Sequence, residues 1–196
     1  MSAQKRDLVA VGASWGGLDA LRFLLGRLPA ELAAAVVVAQ HRSPDSHPTA
    51  FRDLLGAATR LRVCEADDKD ALRPGTVYLG APDYHLLVDG DALALSTEER
   101  VQYSRPSVDV LFESAAESFR DRCVGVVLTG ANADGAHGLA RIVELGGVAV
   151  VQDPASSARP EMPQAALDAV PTARVATLDE LPGVLVELCG TAAVTA

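Results

Sequence analysis

Three residue types that together turn a serine into a nucleophile each stand just after an apolar run in this sequence. Ser14 lies in Gly12-Ala13-Ser14-Trp15-Gly16-Gly17, after the run Leu8 to Val11. His41 follows the run Ala35 to Ala39, with only Gln40 between. Asp134 sits in Thr129-Gly130-Ala131-Asn132-Ala133-Asp134-Gly135, after Val124 to Leu128. A serine hydroxyl attacks poorly until an imidazole takes its proton. A carboxylate then orients that imidazole and stabilises its charged form. The chain order is Ser, His, Asp, whereas α/β-hydrolases use Ser, Asp, His, so this is a different scaffold aimed at the same chemistry.

The turn around Ser14 admits competing readings. Gly12 and Gly17 occupy the outer glycines of a dinucleotide fingerprint, G-x-G-x-x-G. The middle glycine, which lets the backbone approach a pyrophosphate, is replaced by Ser14. The fingerprint also wants an acidic residue at the end of the second strand, and that strand ends in Ala39-Gln40-His41. The cofactor reading fails at both places, and no cofactor is expected. Gly12, Ser14 and Gly16 instead match a nucleophile elbow, G-x-S-x-G. Small neighbours there allow a sharp strand-to-helix turn, and the helix N-terminus faces a developing oxyanion. The plain alternative is a tight turn with an N-capping serine. Each partner also has rivals. His85 follows a strand after a turn, and His47 and His137 read as surface residues near helix starts. Taken singly, His41 serves a structural role as readily as a catalytic one. Asp153 is a second candidate acid, although it precedes Pro154 and suits a turn. The three residues Ser14, His41 and Asp134 together favour catalysis, because independent accidents would have to coincide.

The elements that must position them alternate. Apolar strand candidates are Leu8 to Val11, Ala35 to Ala39, Leu61 to Cys64, Thr76 to Leu79, Val124 to Leu128, Val148 to Val151 and Val175 to Leu178. Helical spacing marks Leu18 to Leu28, Pro44 to Leu55 (Phe51, Leu54 and Leu55 on one face), Pro106 to Phe119, Leu139 to Leu145, Pro163 to Ala169 and Leu181 to Leu188. Leu86 to Val88, the turn Asp89-Gly90 and Ala92 to Leu95 read as a hairpin. The pattern predicts an α/β fold, doubly wound, with a mostly parallel sheet, helices on both faces and a small β-hairpin. In such a sheet all strands end on one edge, so Ser14, His41 and Asp134 emerge together. The segments 67–74 and 154–161 read as surface loops.

Composition narrows the function classes. The net charge is −9 and the basic residues are scattered, so no stripe exists to meet nucleic-acid phosphates. No apolar stretch spans a bilayer and the N-terminus lacks a signal-peptide core, which makes the cytoplasm the expected compartment without membrane insertion. Cys64, Cys123 and Cys189 are odd in number and lack metal-ligand spacing, so no metal is expected.

Further blocks carry a family resemblance. Gly12-Ala13-Ser14-x-Gly16-Gly17, Gln40-His41, Arg105-Pro106-Ser107-Val108-Asp109-Val110-Leu111-Phe112, Gly125 to Gly130, Asp134-Gly135 and Met162-Pro163 resemble the CheB-family methylesterases in order and spacing. The resemblance runs from about Asp7 to the last helix. It implies a triad of Ser14, His41 and Asp134. Around it would lie an oxyanion and substrate region with backbone amides near Trp15 and Ala131, and with Arg105. It implies hydrolysis of glutamate γ-methyl esters, and in some relatives deamidation of glutamines, on the cytoplasmic helices of methyl-accepting chemoreceptors. Typical members carry a receiver domain ahead of the catalytic one. Here the first strand begins within ten residues of Met1, so the expectation is one catalytic domain over 1–196 with no receiver. Trp15 stands where well-known members carry Thr, Ala131 where they carry Met, Ser104 where they carry His and Glu161 where they carry Gly. The alternatives are a non-catalytic module that binds a receptor or signalling partner on the same fold, or an esterase for a different ester.

Overall fold

The computed structural model describes residues 5–43 and 49–192. Two expectations, His47 and the Pro44 start of the second helix, lie outside them. Nine strands and six helices are described. The strands are β1 (Leu8–Ala13), β2 (Ala35–Gln40), β3 (Arg62–Glu65), β4 (Thr76–Leu79), β5 (His85–Asp89), β6 (Ala92–Ser96), β7 (Cys123–Val127), β8 (Val148–Gln152) and β9 (Arg174–Ala176). The helices are α1 (Gly17–Arg27), α2 (Ala50–Gly56), α3 (Val108–Phe119), α4 (Ala136–Glu144), α5 (Glu161–Ala169) and α6 (Leu181–Cys189).

Seven strands form one parallel sheet in the order β3-β4-β2-β1-β7-β8-β9, and β5 and β6 form an antiparallel hairpin. β1 and β2 are buried along their whole length, which is why their sequences run apolar without alternation up to Gln40 at the end of β2. Successive residues still face opposite layers. Val9 and Val11 pack with Leu21, Leu24 and Leu185 on one side, while Leu8 and Ala10 pack with Leu111, Phe112 and Leu139 on the other. Each fully buried Leu or Phe contributes roughly 1.5–3 kcal/mol, so both layers are strongly held.

Helix ends differ from the sequence reading where capping decides them. α3 begins at Val108 rather than Pro106, because Ser107 is extended and its hydroxyl accepts the Val110 N–H. On α2, Phe51 and Leu55 are buried, but Leu54 is 47% exposed and is not part of the core face. The hairpin rests on α3 through two serines. Ser114 Oγ accepts the Val88 N–H, and Ser118 Oγ donates to the Val88 carbonyl.

The strand order reverses direction at β1, with β2 on one side and β7 on the other. At this edge α3 and α4 exchange carboxylates. Asp134, just before α4, accepts the N–H groups of Val108 and Asp109 at the start of α3. Asp109 on α3 accepts the N–H groups of Gly135 and Gly138 at the start of α4, at 3.0 and 2.7 Å. Each negative charge sits where a helix leaves its first amides unpaired. Asp109→Ala leaves two buried amides without an acceptor. It is expected to cost about 2–4 kcal/mol and lower the thermal midpoint by roughly 5–15 °C. Asp109→Asn keeps an acceptor and should lose less than half as much in the same thermal unfolding experiment.

Candidate active site

Ser14 leaves β1 at the switch point and is fixed by its backbone on three sides. Its N–H donates to Thr129 O at 3.0 Å, and its carbonyl accepts from Gly17 N at 2.9 Å and Gln40 Nε2 at 2.8 Å. Gly16 turns the chain with φ +78°, a conformation that suits glycine, and an added Cβ there would stand 2.8 Å from Ala158 Cβ. The side chain is therefore delivered by a rigid strand end rather than by a free loop.

His41 prolongs β2 by one residue, with its N–H on Ala13 O at 3.1 Å. Its Nδ1 lies 3.1 Å from Ser14 Oγ, and its Nε2 lies 2.7 Å from Asp134 Oδ2. Asp134 is buried. Besides the imidazole it takes the Ser107 hydroxyl on Oδ1 at 2.8 Å, the Asp109 N–H on Oδ1 at 2.9 Å and the Val108 N–H on Oδ2 at 2.7 Å. Burial on its own would raise its pKa. The bonds from His41, Asp109 N–H and Val108 N–H outweigh burial and hold it below the usual carboxylate range. An ionised carboxylate only accepts, so the proton on His41 sits at Nε2, and Nδ1 presents its lone pair to Ser14.

Among the described residues, the backbone N–H groups of Trp15 and Ala131 have no hydrogen-bond acceptor. Gly130 brings the loop after β7 close over Ser14, since a Cβ added to Gly130 would stand 2.9 Å from Ser14 Cβ. Thr129 fastens this loop. Its Oγ1 is 2.9 Å from Trp15 O and accepts the Arg159 N–H at 2.9 Å, while its own N–H donates to Gln152 Oε1. Trp15 is 65% exposed beside the serine, with the Arg159 guanidinium 5.5 Å from its ring centre.

Arg105 shares a cavity of about 140 Å³ with the His41 imidazole, and Arg42, Arg100, Tyr103 and Ser104 line it too. Its guanidinium is engaged within the protein, with Asp83 Oδ1 and with the carbonyls of Thr97 and Glu98.

The rival residues are placed elsewhere. His85 is buried and has backbone partners on both nitrogens, Ser107 N–H and Glu99 O. His137 is exposed and pairs with Glu113. Asp153 accepts the Ala155 N–H in a turn. Burial pushes the Cys123 and Cys189 thiols up to about 12, so neither is a thiolate at neutral pH. Sequence reasoning did not single out Gln40, Ser107, Thr129, Asn132 or Gln152 for the roles they take here. The one legible signal was polar side chains at the ends of apolar runs, where burial is expected and a partner is required.

Asp134 also links stability to pH. Its folded pKa is lowered, so its contribution is complete above the unfolded carboxylate value of about 3.9 and is lost as pH falls through the lower folded value. Urea unfolding should show Asp134→Asn less stable than the parent at neutral pH. That difference should shrink steadily below about pH 4.

The chain as a whole is similar to known proteins. The family model described as CheB methylesterase matches residues 9–185. A Leptospira interrogans protein with the provisional name protein-glutamate methylesterase/protein-glutamine glutaminase is 39% identical over 183 residues, covering 93% of this chain and 94% of its own. A Pseudomonas fluorescens protein named protein-glutamate methylesterase/protein-glutamine glutaminase 2 is 42% identical over 185 residues, covering 93% of this chain and 49% of its own. The chain thus spans nearly the whole of one relative and about half of the other. The crystal structure of the Thermotoga maritima CheB methylesterase catalytic domain superposes with a TM-score of 0.89 at 28% identity, covering 94% of this chain and all of that one.

Proposed function

The chain belongs to the CheB methylesterase family, and we propose that it hydrolyses glutamate γ-methyl esters on the cytoplasmic helices of chemoreceptors, with Ser14, His41 and Asp134 as its triad. The observation that carries this reading is the continuous contact from Ser14 Oγ through both ring nitrogens of His41 to a buried, ionised Asp134. The names of the relatives support the ester and amide substrates.

The reaction follows from the geometry. Ser14 Oγ attacks the γ-carbonyl while His41 Nδ1 takes its proton. The imidazolium so formed is stabilised across Nε2 by Asp134. The carbonyl oxygen becomes an oxyanion, and the N–H groups of Trp15 and Ala131 are the donors assigned to it. One such donor is worth roughly 3–4 kcal/mol in the transition state. Collapse returns the proton from Nδ1 to the leaving methoxy oxygen, and methanol departs. Water, activated by the same nitrogen, then hydrolyses the acyl-enzyme. A glutamine amide follows the same course with ammonia as the leaving group. Trp15 follows the nucleophile directly and is exposed, while Arg105 lines the cavity that His41 also lines. In this reading Trp15 meets substrate directly, and Arg105 fixes the wall beside His41.

The reading fits a protein placed in the cytoplasm. No helix among the described residues is long and apolar enough to cross a membrane.

The test is methanol release from a methylated chemoreceptor fragment. Release should vanish with Ser14→Ala and fall by roughly 10³–10⁴ with Asp134→Asn, which leaves the imidazole without a charged partner. Parental turnover in folded Asp134→Asn would remove Asp134 from the triad. Absence of release from the parent across several receptors would redirect the site to a different ester admitted by Trp15.

A further inference from the structure

We infer that Asn132 is a positioning residue for the base: its side-chain N–H holds the Nδ1 lone pair of His41 at rest and keeps the ring aimed at Ser14. The inference rests on the roles of Ser14 and His41 proposed above. Asn132 Nδ2 lies 3.3 Å from His41 Nδ1, and Ser14 Oγ lies 3.1 Å from the same atom. The amide cannot present either end at will. Its Oδ1 accepts the Asp134 N–H at 3.3 Å, so its NH₂ is the end that faces the ring. Two donors therefore share one lone pair. That lone pair exists only while the ring is neutral and its proton is on Nε2 against Asp134.

The charge consequence is direct. Once Nδ1 carries a proton it is a donor, and the Asn132 N–H has nothing to donate to. A hydrogen bond made only to the neutral form disfavours the charged one. Asn132 thus works against Asp134, whose carboxylate favours the imidazolium. The other charges around the ring are Arg42, Arg100 and Arg105 across the neighbouring cavity, and Asp109 behind Asp134. Substitution at Asn132 changes none of these. One short loop after β7 carries both opposing partners, so the same backbone sets the ring's orientation from each edge. During catalysis the proton arriving at Nδ1 comes from Ser14, and Asn132 loses its bond at that moment. Its effect is therefore on the availability of the resting base, and it shows on the acid side of the rate profile.

The experiment pairs two readouts. One is a nitrogen NMR titration of the histidine rings, with the His41 signals assigned by their loss in His41→Gln. The other is the pH profile of kcat/KM for methanol release. In Asn132→Ala the His41 midpoint and the acid limb should both move up by roughly half to one pH unit. In Asn132→Asp they should move further up, because a carboxylate facing Nδ1 favours the charged ring. A loss of rate at every pH with an unmoved midpoint would overturn the inference, as would a downward shift in Asn132→Asp. If the parent releases no methanol, the methylesterase reading falls, while the titration still decides what Asn132 does to the ring.

Discussion

The carboxylate of Asp134 seated on the first amides of α3 is the contact around which this edge of the molecule is organised. A buried carboxylate is costly unless it is fully hydrogen-bonded, and the first turn of a helix carries amides that lack partners of their own. Here each problem solves the other. Val108 N–H, Asp109 N–H, the Ser107 hydroxyl and the imidazole saturate Asp134. Asp109 does the same for α4. The two helices are therefore locked together at the end where the sheet changes direction. The acid is fixed by secondary structure before any substrate is considered.

Two neighbouring buried carboxylates cannot be equally at ease as anions, and their surroundings separate them. Burial raises the Asp109 pKa, its bond from Gly138 N–H pulls it back, and the nearby charge of Asp134 adds to the rise. Asp134 has the imidazole as well as the helix amides and stays low. The negative charge is thus concentrated on the member that faces His41. Polar burial elsewhere follows the same centre. Among the described residues eight polar or charged side chains are buried, and all except Thr76 belong to this site or bond to a residue of it.

The sheet, its two covered faces and the hairpin were legible in the sequence because buried parallel strands run apolar without alternation, as β1 and β7 do throughout and β2 does as far as Ala39. The meeting of Ser14, His41 and Asp134 was legible because parallel strands end on one edge. Strand order was not, since nothing in a run such as Ala35 to Gln40 names its neighbours. The exchange between Asp109 and Asp134 was also hidden. Asp109 sits in the first turn of a helix, where acidic residues are common for local reasons, and its real partners lie on the next helix. Leu54 was misread because a short helix with few contacts buries only part of an apolar stripe. The role of Asn132 was hidden too, since it depends on which way its amide points.

The use of the two ring nitrogens could not be read from residue types either, and it follows from depth. In the serine-protease arrangement Nε2 faces the serine and Nδ1 faces the aspartate. Here the ring is used the other way round. His41 is tied by its own N–H to Ala13 O, one residue from Ser14, so the backbone of the base lies beside the backbone of the nucleophile. Nδ1, the nitrogen nearer the main chain, is then the one within reach of Ser14 Oγ. The Asp134 carboxylate is buried against the first amides of α3, and only the far nitrogen extends to it. Proton transfer requires a lone pair on one edge of the ring and a bonded N–H on the other, and imidazole supplies both in either orientation. What the fold must fix is which nitrogen keeps the lone pair. It does so from both edges, with an ionised acceptor at Nε2 and donors from Ser14 and Asn132 at Nδ1.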